Sequence, residues 1–280
     1  MAGAFDFLLG SYRTVEQGQL KKFRTWFDDY VAGFYGNDKF INANLKLKEQ
    51  HSRRTCQEMR YLADKLALTD NQKRVAEVIA IFHDIGRFEQ FVRYRTYNDF
   101  RSVDHCLLGL EVLREAKVLD EVAGEERKFI ERAIEYHGRK DLPADSDGQY
   151  LLFSRLIRDA DKLDVLYVVT EYYRQYRDNP REFMLELEFP DNPKYSAEVV
   201  EAILRGELID YSKLRTLNDM KLLQLGWVYD INFTATLERI RHRKFLETLL
   251  DFLPQTQDIE KVKEKIFAYV DFRIEQEPQD

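Results

Sequence analysis

The chain has little of what would build a disulfide scaffold or a membrane span. It carries two cysteines, six prolines and twelve glycines in 280 residues, too few helix breakers to interrupt regular structure often. No apolar run approaches the roughly 18 residues of a membrane span. Cys56 and Cys106 sit singly inside helical patterns, without CxxC spacing, and read as small core residues rather than a disulfide or a structural zinc site. Positive charge is not in excess: 43 Lys and Arg against 50 Asp and Glu give a net charge of -7. That excludes a surface built to neutralise a nucleic acid polymer and leaves a small molecule as the expected partner. The opening stretch MAGAFDFLLGSYR has no basic region ahead of its apolar part, unlike a signal peptide, so a cytoplasmic location is expected.

What the chain does have is helical periodicity. Apolar residues recur at threes and fours over 19–34, 51–66, 73–85, 103–116, 125–137, 151–169, 196–204, 211–228, 233–253 and 258–275, and no stretch alternates with period two for long enough to need a sheet. Breaks are expected near 36–38, in DLPADSDGQ (141–149) and in FPDNP (189–193). The spacing predicts an all-α, multi-helix bundle forming one domain over 1–280. Its core would lie at about 45–170, after an N-terminal helical part (1–44) and before a helical extension (171–280) packed on that core. The aromatic stripe Leu225, Trp227, Val228, Tyr229 and Phe233 reads as core or as a homodimer contact.

Five histidines are present, and four of them, His51, His83, His105 and His137, fall on the apolar stripes of four successive expected helices. Asp159 shares a helix face with Leu152, Leu156, Leu163 and Leu166. A carboxylate buried there without a partner would cost several kcal/mol. One shared cation would satisfy these groups together. Imidazole and carboxylate donors suit iron, manganese, zinc, nickel or cobalt, and the lack of a cysteine cluster speaks against a closed structural zinc site.

The order His51, His83-Asp84, Asp159, with HDIG at 83–86, resembles the H…HD…D pattern of the HD-domain superfamily of metal-dependent phosphohydrolases. His105 and His137 resemble the second-metal ligands of its dinuclear branches. The resemblance covers about 45–170. It implies one or two divalent transition metal ions, one held by His51, His83, Asp84 and Asp159 and a second by His105 and His137, with Asp84 as the bridging, catalytic carboxylate. A metal-activated hydroxide would then attack phosphorus. The Gly-Tyr-Pro segment and histidine pair of the HD-GYP phosphodiesterases are missing, which sets the chain apart from that branch. A diiron oxygenase similar to myo-inositol oxygenase would use the same ligands, and a non-catalytic regulatory module is a third reading.

Candidate contacts for a phosphorylated substrate, such as a nucleotide, lie close by in the sequence. Lys162 is three residues after Asp159, and Arg87 follows HDIG directly. The stretch 87–102 interleaves Arg87, Arg93, Arg95 and Arg101 with five aromatics and reads as a loop over the metal centre. Arg139 and Lys140 follow His137. Asp104 either orients His105 or caps the helix that begins there. Asp161 points away from the Asp159 face, and Asp164 has no evident role. His242, in RIRHRKFLE, reads as part of an exposed basic face.

Overall fold

The computed structural model describes residues 15–143, 148–183 and 189–276. The opening stretch MAGAFDFLLGSYR and part of the break at 141–149 lie outside them. The described residues are helical with no β-strand, and none of their helices is long and apolar enough to cross a membrane. The chain divides into two compact units, 1–157 and 158–280.

The first unit contains α1 (Gln17–Ala32), α2 (Lys39–Lys65), α3 (Asp70–Phe82), α4 (Gly86–Tyr94), α5 (His105–Glu115), α6 (Gly124–Tyr136) and the beginning of α7 (Gly148–Asp178). Helix α3 is its centre. Every residue from Val75 to Phe82 is buried, and the helix packs on α1, α2 and α6. Around it, α1 contributes Leu20, Phe23, Phe27 and Val31, a spacing of threes and fours that forms one apolar stripe. Local signals set the helix starts. The Asp38 carboxylate accepts from the Phe40 and Ile41 amides, Thr69 forms a reciprocal cap with Gln72, and Asp104 accepts from the Cys106 and Leu107 amides. The Asp38 cap starts α2 twelve residues before the expected beginning at His51, so Lys48 stands one turn ahead of that histidine on the same helix.

The segment 87–102, expected as a loop, is helical in its first half. Phe88 and Phe91 are buried at a spacing of three, and Glu89 pairs with Arg93 one turn on, so α4 has both an apolar stripe and a salt-bridged outer face. Arg95 ends it in the left-handed conformation at φ 58°. Two glycines let the helices close in. A methyl group on Gly86 would lie 2.3 Å from the His105 carbonyl oxygen and 2.6 Å from the Gly109 amide nitrogen, so α4 and α5 approach backbone to backbone only because glycine stands there.

The second unit holds the rest of α7, then α8 (Ala197–Arg205), α9 (Leu217–Gly226), α10 (Thr234–His242), α11 (Phe245–Asp251) and α12 (Gln257–Gln276). Here the expected helix 211–228 is divided: Tyr211–Lys213 forms a 3-10 turn, and Thr216 opens α9 through a reciprocal cap with Asp219. The buried Asp219 also accepts from Ser196 and from the Arg215 amide, which ties the loop to the helix. The expected helix 233–253 breaks at Lys244, where φ is 54°. Leu225 and Val228 are buried core of the second unit, while Trp227, Tyr229 and Phe233 are half-buried, Tyr229 meeting Tyr269 edge-on. His242 is exposed, as expected.

Candidate metal centre

Asp84 is the hub of the first unit. It follows His83, which caps the C-terminus of α3, and its carboxylate is buried. Its two oxygens face different partners. Oδ2 lies 3.4 Å from His51 Nε2 and 3.7 Å from His83 Nε2, while Oδ1 lies 3.5 Å from His105 Nε2 and 3.7 Å from His137 Nε2. The four histidines arrive from the middle of α2, the end of α3, the first residue of α5 and the end of α6. All four are buried.

Each imidazole is oriented through its other nitrogen or through a ring neighbour. His83 Nδ1 is 2.9 Å from the Ala80 carbonyl and His137 Nδ1 is 2.7 Å from the Ile134 carbonyl, the same contact to the residue three before at two helix ends. A ring nitrogen facing a carbonyl carries the hydrogen, so in the neutral ring Nε2 presents a lone pair to Asp84. His105 Nδ1 is 2.6 Å from Asp99 Oδ2, with the same result. The Nε2 atoms of His105 and His137 then face each other at 3.1 Å, and those of His51 and His83 at 3.3 Å. Lone pairs so close repel unless positive charge lies between them. Two ligands sharing one ion at about 2.0–2.1 Å stand roughly 3.0–3.4 Å apart. The donor set therefore fits transition metal ions, with neutral nitrogens, a carboxylate and the oriented rings that metal ligands have.

The electrostatics agree. Burial alone would raise the Asp84 pKa, but Lys48 and the surrounding histidines hold it well below the ordinary carboxylate value. Burial would lower that of His137, yet Cys106 and Asp84 raise it well above the ordinary imidazole value. Both shifts favour positive charge beside Asp84. Cys106 Sγ lies 3.4 Å from His105 Nε2 and 3.6 Å from His137 Nδ1. Against the effect of burial, these histidines bring its pKa down to about 6. His105, Cys106 and His137 offer donor atoms within 4.8 Å of one another, as do His83, Asp84 and His137.

Several expectations are corrected. The Asp159 carboxylate, expected on a metal, is taken up within the second unit: it accepts from the Asn232 amide at 3.0 Å, Asn232 Nδ2 at 2.8 Å, the Phe233 amide at 3.0 Å and Thr236 Oγ1 at 2.8 Å. Burial leaves its pKa raised, the donors from Asn232 and Phe233 and the charge of Lys162 offsetting only part of that effect. The apolar stripe had concealed a second way to satisfy a buried carboxylate, by the amides that open α10. Lys162 Nζ sits 2.7 Å from Asp230, which also holds Arg158 at 2.6 Å. Arg87 hydrogen-bonds Gln90, the Tyr97 carbonyl and Asp99 and lies 3.4 Å from Asp84, so it braces the site from the side. Arg93, Arg95 and Arg139 pair with Glu89, Asp38 and Glu135 at the surface. Asp104 caps α5, and the carboxylate that orients His105 is Asp99.

Two functional groups were missed. Lys48 Nζ lies 2.8 Å from Asp84 Oδ2 with its side chain 17% exposed, and only a helix begun at Asp38 would have revealed it. Asp99 is held by Arg87 and Gln90 as well as by His105, and burial notwithstanding, His105 and Arg87 lower its pKa to about 2.

A buried carboxylate shared by four oriented imidazoles in an all-α unit is a set of groups that could hold metal. Residues 49–166, rather less than half of the chain, match the HD domain family. No curated protein and no solved structure matches the chain.

Proposed function

We propose that the protein is a metal-dependent phosphohydrolase that cleaves a small phosphate ester, a nucleotide or similar phosphorylated metabolite. One observation carries the reading: each oxygen of Asp84 faces its own pair of histidine Nε2 atoms, the arrangement expected of a carboxylate between two ions. His51, His83 and Asp84 would hold one, and Asp84, His105 and His137 the other. The Asp159 oxygens are taken up by Asn232, Phe233 and Thr236, so the reading rests on these five residues of the first unit. Bound divalent ions supply Lewis acidity and a water of lowered pKa.

The chain's own groups do the rest. Asp99 holds the proton on His105 Nδ1 and so keeps Nε2 available as a donor. Lys48, nearly enclosed and beside Asp84, is the cation best placed to take a phosphoryl oxygen as charge develops there, in the role expected of Lys162. Arg87 holds Asp99 and the 95–104 segment in position. The net charge of -7 confines attraction for an anionic substrate to this local cluster.

The test is turnover of a panel of phosphomonoesters, nucleotides and dinucleotides by protein loaded separately with manganese, iron, cobalt, nickel or zinc. Phosphate release that disappears in Asp84→Ala supports the proposal. No release from any substrate at full metal occupancy overturns it, and oxygen uptake by the iron form would point instead to the oxygenase reading.

A further inference from the structure

A second pocket lies in the first unit, apart from Asp84 and its histidines. It encloses about 320 Å³, the size of a small-metabolite site, between α1, α2 and α3. Phe27 and Ile81 form an apolar wall, both buried. Ser52 lies in the lining at 1% exposure, and its Oγ has no hydrogen-bond partner. A buried hydroxyl left unmatched costs about 1–3 kcal/mol, so a ligand that reaches it gains from an unmet need. Three arginines stand around the pocket. Arg24 pairs with Glu77, and Arg53 pairs with Asp28 at 2.8 Å and with Glu49 at 3.0 Å. Arg60, exposed, has no ion-pair partner among the described residues. Arg24 and Arg53 are thus matched by carboxylates, and Arg60 is the guanidinium at the pocket that is not.

We infer that this pocket is a binding site for a small organic anion, whose charged head meets Arg60 and whose apolar body lies on Phe27 and Ile81 within reach of Ser52. The site sits on the reverse of the metal-bearing helices: Ser52 is next to His51 on α2, and Ile81 is two residues before His83. A ligand there would bias the two helices that present those histidines, and so act as an effector of the centre without touching it. The inference does not depend on which reaction the metal centre performs.

The experiment is an amide chemical-shift titration of the zinc-loaded full chain with phenylphosphonate and, separately, benzoate, the two arms distinguishing a phosphonate from a carboxylate head. Saturable shifts at Cys56 and Glu77 from at least one anion are expected. Arg60→Ala should weaken that binding about tenfold, the loss of roughly 1.4 kcal/mol, with zinc content unchanged. Ser52→Ala should weaken it by a smaller factor. The inference is overturned if neither anion shifts these amides, if benzyl alcohol shifts them as strongly as the anions do, or if Arg60→Ala binds as tightly as the parent protein.

Discussion

Asp99 Oδ2 lies 2.6 Å from His105 Nδ1, and this contact decides which nitrogen of His105 is offered to a metal. Removing it in Asp99→Asn should weaken metal binding about 10- to 100-fold, as loss of a partner behind a ligand typically does. Equilibrium dialysis against zinc would measure it, and unchanged affinity would count against the assignment.

The same residue gives a pH prediction for the metal-free protein. With its folded pKa depressed to about 2, Asp99 adds stability that is fully present above the unfolded carboxylate value of about 4 and is lost as pH falls through that range. Discounted for a side chain one-third exposed, the contribution is on the order of 1 kcal/mol. Denaturant midpoints at pH 7 and pH 3 should therefore differ less for Asp99→Asn than for the parent protein.

Lys48 and a metal ion compete to neutralise Asp84. Lys48→Met should lower the stability of metal-free protein by about 2–3 kcal/mol, because a buried carboxylate loses its nearest cation. The metal-loaded protein should lose much less. Thermal melts of Lys48→Met and the parent protein with and without zinc would show whether the difference shrinks on loading; an equal loss in both states would mean that Lys48 only packs.

Asp159 should prove structural for the second unit. Asp159→Ala strands the amide donors of Asn232 and Phe233 and the Thr236 hydroxyl, and about 3 kcal/mol or more of stability should go with it. Urea melts of the variant and the parent protein measure the loss, and equal midpoints would count against this role.

Gly86→Ala should be among the most damaging single-methyl additions in the first unit. The added carbon would meet the His105 carbonyl and the Gly109 amide, forcing α5 away from α4 and His105 away from Asp84, at about 3 kcal/mol or more. Gly124→Ala is the control, since nothing lies within 4 Å of its new methyl group. Near-equal melting temperatures for the two variants would refute the close-approach argument.

The one-dimensional pattern was enough for the all-helical class, and it singled out His51, His83, Asp84, His105 and His137, which the structure brings together, because a polar residue on an apolar stripe is conspicuous wherever the helix goes. It could not show what satisfies Asp159, since a stripe reports burial and says nothing of the partner, and here the partner is a set of amides 73 and more residues away. Helix α4 was hidden by its own arginines, whose surface pairs are invisible until the turns are built. Lys48 and Asp99 reach their partners across 36 residues and across a loop bend. Such contacts are decided by how helices cross and how closely glycine lets them approach, and that is information only the tertiary structure carries.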